Sequence, residues 1–225
     1  MPRIARGLGD CCVYHILNRG NDRSDVFHSS RDYEAFLEIV KEAKGRYAVR
    51  ILAYCLMPNH FHMAVIPERG EHLSKWMQWI MTSHVRKYHR HYGSSGHVWQ
   101  GRYKSFLVQS DNHLLTVLRY IEGNPVRART VDSAKAWRWS SHRENAGITE
   151  KVLVNELPLE LPKEWGTYVD EPLTEGEIER LRKSLNRQAP YGETVWQRDV
   201  CVALGLESTI RRRGRPCKSE KEQKK

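Results

Sequence analysis

The stretch ILAYCLMPNHFHMAVIPE (residues 51–68) decides the fold, because it predicts two short strands joined through a Pro-Asn pair. Its flanks are rich in β-branched and aromatic residues, the types that favour strands. Residues i and i+2 of a strand point to the same face, so we expect His60 and His62 to present two imidazoles side by side. Phe61 should then point the other way, into a core.

The spacing of these two histidines has two explanations. Neutral imidazoles on a rigid strand form a bidentate site for a divalent metal ion. Two half-buried strand histidines without a metal explain the same spacing equally well, because His-X-His occurs often by chance. The rest of the chain has to decide between these explanations.

Strand and helix signals alternate on both sides of this strand pair. The predicted elements are strands over 13–20 and 101–110 and helices over 29–47, 72–93 and 111–125. The order strand, helix, two strands, helix, strand, helix predicts an α+β fold. We expect a ferredoxin-like sandwich, with a mostly antiparallel sheet and helices packed on one face.

Composition divides the chain into four predicted segments. Residues 1–148 form the main domain, and 149–172, rich in Pro, Glu and Leu, are expected to be a linker. Residues 173–210 are expected to form a helical C-terminal extension with helices over 173–188 and 193–206. Residues 211–225 form a basic tail that we expect to be disordered.

Charge is distributed unevenly along the chain, whose formal net charge is +10. The net charge is +8 over residues 1–150, −4 over 151–210 and +6 over 211–225. A basic body and a basic tail favour a polyanionic partner, with nucleic acid first among them. A generally basic protein without such a partner is the alternative.

Cysteine usage and hydropathy indicate the compartment. The five cysteines show no Cys-X-X-Cys pair and no even framework, which fits a reduced setting. No apolar run of about 18 residues predicts a membrane span, and the N-terminus lacks the apolar segment of a secretory signal. We therefore expect a cytoplasmic protein, associated with the nucleoid if it binds DNA, and no membrane partner.

Tyr120 lies on the last helix predicted before the linker. That helix has one apolar stripe, and Tyr120 lies about 110° from its centre, so it should sit at the edge of the core. Asn124 would share this face if the helix continued, although the residue before Pro125 is biased away from helix. A tyrosine that only packs at the rim explains Tyr120 by itself. A tyrosine can also attack a phosphodiester, which then needs a Lewis acid on the phosphate.

Five motifs occur together in one order: HILNRGNDRSDVF, DYEAFL, YCLMPNHFHMAV, RYIEGNPVRAR and WRWSSH. Over residues 10–145 the chain resembles the REP-associated tyrosine transposases, which belong to the HUH single-tyrosine transposases of insertion sequences. The resemblance implies a ferredoxin-like catalytic domain within residues 1–148 and a Mg²⁺ or Mn²⁺ cofactor. It also implies single-stranded DNA next to REP-like hairpins as the substrate. By the same resemblance, Tyr120 matches the nucleophile, His60 and His62 the metal ligands, and Asn124 a third ligand.

Three functions remain open from the sequence. The first is a metal-dependent strand transferase that nicks DNA through a 5′-phosphotyrosine. The second is a sequence-specific DNA-binding protein derived from a transposase, with host or regulatory use and weak or no catalysis. The third is a replication initiator or relaxase. The short spacing from His62 to Tyr120, with the tyrosine after the histidines, favours the transposase. The acting form is a monomer or a homodimer.

Basic residues on both sides of the predicted site are candidates for phosphate contacts. Solvated surface charge explains part of this set. The tail sequence RRRGRP additionally resembles short hooks that enter a narrow A·T-rich minor groove. The candidates are Arg102, Lys104, Arg119, Arg127, Arg129, Arg211, Arg212, Arg213 and Arg215.

Overall fold

The computed structural model describes residues 7–211 as a four-stranded sheet with helices on both faces. The strands are β1 (Val13–Arg19), β2 (Val49–Met57), β3 (His60–Pro67) and β4 (Lys104–Val108). The helices are α1 (Ser30–Arg46), α2 (Gly70–Tyr92), α3 (Asn112–Glu122), α4 (Asn124–Arg127), α5 (His142–Asn145), α6 (Trp165–Asp170), α7 (Glu175–Arg187), α8 (Thr194–Leu204) and α9 (Glu207–Ile210).

The sheet has the strand order β2-β3-β1-β4, and all neighbouring strands are antiparallel. Together with α1 between β1 and β2 and α2 between β3 and β4, this is the ferredoxin-like arrangement. The predicted α+β class and antiparallel sheet are therefore confirmed. The histidine-bearing strand lies at the centre, paired with β1 on one side and β2 on the other.

The β2–β3 hairpin turns through Pro58 and Asn59, as the sequence predicts. Its tip is held by the loop after β1: Gly20 N–H donates to the Asn59 carbonyl at 2.7 Å, and the amides of Val26 and Phe27 donate to the Pro58 carbonyl. These bonds fix the first residue of β3, which is a histidine. The hairpin tip is therefore a rigid support for the side chain of His60.

Helices α1 and α2 cover one face of the sheet. Their apolar sides pack on alternate residues of the central strands, which include Ile16 on β1 and Phe61 and Met63 on β3. Ser29 and Asp32 form a capping box at the start of α1, and α2 ends at Gly93 in the left-handed region. Loss of a buried phenylalanine costs about 3–5 kcal/mol, so Phe61 anchors the strand between the two histidines.

Helix α3 covers the opposite face, where its apolar stripe packs on residues such as Leu52 and Ala64. The prediction that the helices lie on one face is therefore correct for α1 and α2 and wrong for α3. The stripe itself was predictable from periodicity, but periodicity does not say which face of a sheet the stripe will meet. Asp111 caps α3 by accepting from the amide of His113 at 2.8 Å, and Gly123 ends it.

The segment 149–172 packs on the body of the protein. Leu153 and Val154 are buried against the α1–α2 side, and α6 buries Trp165 and Val169 against the α3 side. The carboxylate of Glu144 also accepts from three successive backbone amides, at residues 152–154. The linker prediction is wrong for these packed residues, because apolar side chains that can be buried draw the segment onto the core.

The C-terminal extension contains α7, α8 and α9. Between α7 and α8, Tyr191 forms a parallel bridge to Val108 and so extends the sheet beside β4. Of the predicted tail, only Arg211 lies within the described residues. Over residues 7–211 no helix combines the length and the apolar character required to cross a bilayer.

Candidate active site

A cavity of about 760 Å³ opens where β1, β3, the end of α3 and α7 come together. It brings together side chains from both halves of the chain. The lining residues are Leu17, Asn18, Arg19, His60, His62, Gln100, Arg102, Lys104, Tyr120, Asn124, Arg127, Ala128, Arg182, Leu185 and Asn186. Most of the residues that the sequence singled out for chemistry are therefore in one place.

His60 and His62 share a face of β3, with ring centroids 5.2 Å apart. Nδ1 of His60 lies 2.6 Å from Oδ1 of Asn59, so Nδ1 carries the proton and donates. The lone pair of His60 is then on Nε2, which lies 3.1 Å from the amide nitrogen of Asn124 in the cavity. The turn residue Asn59 thus selects the tautomer that points a lone pair at the site.

Burial keeps both imidazoles neutral. Desolvation, together with the nearby cations Arg19 and Arg127, lowers the pKa of His60 to about 4. Desolvation lowers the pKa of His62 well below its ordinary value, and the neighbouring histidines add to the effect. At neutral pH both rings therefore have an unprotonated nitrogen, the form in which histidine binds metal ions.

A third histidine, His15, completes this cluster. It is fully buried on β1, and its Nε2 lies 2.9 Å from Nδ1 of His62. Because His15 engages Nδ1 of His62, Nε2 is the nitrogen with which His62 can bind a ligand. Burial and the charge of Arg127 lower the pKa of His15 to about 3, so this ring is also neutral.

Tyr120 stands at the edge of the core, as predicted, with 8% of its surface exposed. Its ring centroid lies 5.6 Å from that of His62, and the guanidinium carbon of Arg127 lies 4.0 Å above the tyrosine ring. Two nitrogens of Arg127 also donate to the Tyr120 carbonyl, each at 3.2 Å. The tyrosine is therefore held between an imidazole and a cation.

Asn124 begins α4 directly after the glycine that ends α3. Asn124 therefore stays on the same side as Tyr120, although one helix ends and another begins between them. Its amide nitrogen contacts His60, and its Oδ1 accepts from Arg127 at 2.9 Å. It is buried, at 6% exposure. The sequence left the face of Asn124 open because of Pro125, and in the structure Asn124 and Tyr120 line the same cavity. A role of Asn124 as a ligand stays a prediction.

The side chains fit a divalent cation through two nitrogen donors. Among residues 7–211, no group of three or more His, Cys, Asp or Glu side chains is arranged to hold a metal ion. The predicted set has two histidines, and its third member is an amide. Two neutral imidazoles beside an amide suit Mn²⁺ better than Mg²⁺, which prefers oxygen ligands.

The predicted phosphate-contact residues separate into groups. Arg102, Lys104 and Arg127 line the cavity. Arg129 is exposed just beyond α4 and is not among the lining residues. Arg211 is also exposed, and its carbonyl accepts from Arg187. Arg212, Arg213 and Arg215 lie outside the described residues.

The prediction that Arg119 contacts phosphate does not agree with its position. Its guanidinium is buried and donates to the carbonyls of Glu171 and Pro172 at 3.0 and 3.2 Å. It also stacks on Tyr168, with the guanidinium carbon 4.2 Å from the ring centroid. These contacts use Arg119 to fasten the segment after α6 to α3, so it does not present its charge to DNA.

Several residues in or directly beside the cavity were not predicted from the sequence. For His15, Leu17 and Arg19 a signal existed, because alternate residues of a strand share a face and β1 is the neighbour of β3. For Arg182 and Asn186 on α7 no local signal existed, since their position depends on how the extension folds back. The missed residues are His15, Leu17, Asn18, Arg19, Gln100, Ala128, Arg182, Leu185 and Asn186.

The fold and the cavity define a ferredoxin-like α+β protein with a histidine pair and a tyrosine in one site. The family model described as "Transposase IS200 like" matches residues 10–124. This match covers half of the chain, and the chain belongs to the IS200-like transposase family.

One protein sequence and one solved structure are similar to this chain. A Haemophilus influenzae protein named "Putative REP-associated tyrosine transposase" is 29% identical over 121 residues, which are 48% of this chain and 68% of that protein. A solved REP-associated tyrosine transposase bound to a REP hairpin superimposes with a TM-score of 0.57 at 16% identity. It covers 69% of this chain and 98% of its own, and at this identity the likeness concerns the fold. The resemblance drawn from the sequence motifs is confirmed.

Proposed function

We propose that the protein nicks and rejoins single-stranded DNA at hairpin-flanked sites, with Tyr120 as the nucleophile. The observation that carries this proposal is that Tyr120 and two neutral imidazoles face the same cavity, with the Tyr120 and His62 rings 5.6 Å apart. A nucleophile beside metal-binding groups is the arrangement required to attack a phosphodiester.

The reaction balances without an external energy source. The phenolic oxygen of Tyr120 forms a bond to phosphorus, the bond from phosphorus to the 3′ oxygen breaks, and the phenolic proton is transferred to the departing 3′-hydroxyl. The product is a 5′-phosphotyrosine and a free 3′-OH. A 3′-OH can then attack the phosphotyrosine and restore a phosphodiester, so the bond energy is kept and no ATP is needed.

His60 and His62, with Asn124 beside them, would hold the divalent ion. When bound, that ion supplies the Lewis acid that polarises the phosphate and neutralises developing charge. The protein contributes the neutral state of both rings, through burial. It also contributes Arg127, whose stacking on Tyr120 places a positive charge beside the attacking group.

The substrate proposal rests on charge and on the structural relative. Arg102 and Lys104 are exposed at the cavity rim, where a phosphate backbone can reach them. The solved relative holds a REP hairpin, and we propose that this chain takes a hairpin-flanked single strand of the same kind.

A transposase-derived DNA-binding protein with little catalysis is the second candidate. The observation in its favour is that the Asn124 amide is fully engaged, with its nitrogen on His60 and its oxygen on Arg127. Both candidates bind DNA, so only the covalent step separates them.

Tyr120→Phe tests the covalent step, because it removes only the hydroxyl. Hairpin-flanked single-stranded oligonucleotides are incubated with protein and Mn²⁺, and adducts are resolved on a denaturing gel. We expect an adduct with the parent chain and none with Tyr120→Phe, while both bind the oligonucleotide equally. An adduct that persists in Tyr120→Phe rules out this nucleophile, and DNA binding without any adduct in the parent favours the second candidate.

A further inference from the structure

Helix α7 lies outside residues 10–124, the part matched by the family model, yet it forms one wall of the cavity. Arg182, Leu185 and Asn186 all line the cavity. Leu181 and Ser184 are buried against the body, and Leu185 packs against the same apolar cluster as Leu181. The helix therefore turns Arg182 and Asn186 toward the site, beside the apolar residues that fix it to the body.

This wall is held rigidly at both ends. At its start, Thr174 and Glu177 form a capping box, in which the Glu177 carboxylate accepts from the Thr174 amide at 2.8 Å. After its end, Tyr191 joins the sheet beside Val108, with backbone hydrogen bonds of 2.7 and 2.9 Å on its two sides. A side chain on such a helix can set the position of a ligand.

Charge along α7 changes sign. Acidic residues occupy its first half, and Arg180, Arg182, Lys183 and Arg187 follow in its second half. The helix dipole favours cations near any C-terminus, which explains the composition. It does not explain why the exposed Arg182 lines the same cavity as the guanidinium of Arg127. Two cations that repel each other across a cavity are stabilised when an anion lies between them.

We propose that α7 is a strand-holding wall of the active site. Arg182 contacts a phosphate next to the one that Tyr120 attacks, and Asn186 donates to the base or sugar beside it. The proposal rests on the proposed DNA substrate and assigns a role to the C-terminal extension. It makes this part of the chain a determinant of how the single strand lies across Tyr120.

The test compares Arg182→Ala with Lys183→Ala, its neighbour on α7, which is exposed and does not line this cavity. Both changes remove one positive charge from the same helix. Each is made in a Tyr120→Phe chain, so that binding is measured without cleavage. The probe is a fluorescent single-stranded oligonucleotide with a hairpin, titrated at several NaCl concentrations.

We expect Arg182→Ala to weaken binding about 3- to 10-fold near 0.1 M salt and to reduce the slope of log K against log salt by roughly 0.7. Arg182→Glu should weaken it further, while Lys183→Ala stays within about twofold of the parent. Equal behaviour of Arg182→Ala and Lys183→Ala, or an unchanged slope in both, overturns the proposal. Thermal melts verify folding, and Arg182→Gln serves as a second variant if the alanine variant melts early.

Failure of the proposed function has a different signature. If the parent chain binds the oligonucleotide but forms no adduct, the nucleophile assignment fails while the salt slopes still report on α7. If the adduct forms and Arg182→Ala binds like the parent, the wall proposal alone fails.

Discussion

Tyr120 and Glu122, both near the end of α3, face opposite environments. Glu122 is fully buried, and four donors converge on its carboxylate: Ser141 and Asn145 at 2.6 Å, Trp165 at 2.8 Å and His142 at 3.1 Å. Two residues earlier, Tyr120 faces a cavity with cations and neutral imidazoles. One side of the helix end is tied to the fold, and the other faces the cavity in which we propose that the substrate binds.

The two regions differ in how their polar groups are paired by hydrogen bonds. Around Glu122, a negative group has donors from α5 and α6. Around Tyr120, Nε of the cavity residue Arg19 is buried with no hydrogen-bond partner among the described residues, and Arg102, Lys104 and Arg182 are exposed. Cationic surroundings of this kind are suited to a polyanion. The difference teaches that the carboxylate network serves the fold, while the cavity offers the groups on which the proposed reaction depends.

The largest expected effect on adduct formation comes from removing an imidazole on the cavity side. His60→Ala and His62→Ala should each reduce adduct formation by about three orders of magnitude or more, because several kcal/mol of charge stabilisation are lost. Excess chelator should do the same to the parent chain. The measurement is the adduct yield over time, with His91→Ala on the exposed end of α2 as control. Undiminished cleavage in chelator would falsify the metal proposal.

The second effect concerns the carboxylate side. Glu122→Ala removes an acceptor shared by four donors, three of them on buried residues, and we expect it to lower the free energy of unfolding by about 3–5 kcal/mol. Urea titration measures this loss. Glu179→Ala, an exposed glutamate on α7, should change it by less than about 0.5 kcal/mol. Equal stabilities of the two variants would show that the network is not a structural anchor.

The third effect concerns the support of His62. His15→Phe keeps an aromatic ring at this position but removes the hydrogen bond to His62 Nδ1, so Mn²⁺ affinity should fall about 10- to 100-fold. Isothermal titration with Mn²⁺ measures it without any DNA. His15→Gln, which can restore a hydrogen bond, should recover part of the affinity. If His15→Phe binds Mn²⁺ like the parent, His15 serves packing only.

The smallest effect separates two arginines that look alike in the sequence. Arg119→Ala should cost about 1–3 kcal/mol of stability, because it loses two hydrogen bonds to carbonyls, and should leave DNA affinity unchanged. Arg127→Ala should weaken single-strand binding about 3- to 10-fold, with a smaller salt slope. Urea titration and oligonucleotide binding are measured on both. The reverse pattern would mean that Arg119 contacts DNA and Arg127 stabilises the fold.

Local signals in the sequence predicted much of this structure. The His-X-His strand, its hairpin partner and the capped helix with Tyr120 at its edge follow from periods of two and of 3.6 residues. The position of Asn124 was open because of Pro125, and the structure shows that a new helix begins there. Proline is compatible with the first turn of a helix, which explains why the face is kept.

Other features depend on contacts between distant segments. Arg119 and Arg127 differ only in which segment lies opposite them, and the sequence around each does not reveal that segment. The packing of 149–172 had a weak signal, since Trp165 and Val169 are four residues apart on one helical face. The position of α7 against the cavity follows from the bridge of Tyr191 to β4, a contact between residues more than 80 apart.

Both outer strands of the sheet are accompanied by later parts of the chain. Beside β2, Asn155 exchanges hydrogen bonds with Ile51, and the Leu56 amide donates to the Trp139 carbonyl. Beside β4 lies Tyr191. An uncovered edge strand is a template for pairing with another molecule. Contacts from within residues 139–191 thus protect these parts of both sheet edges from pairing with another molecule. A second copy of the protein that joins this one has to contact a different surface.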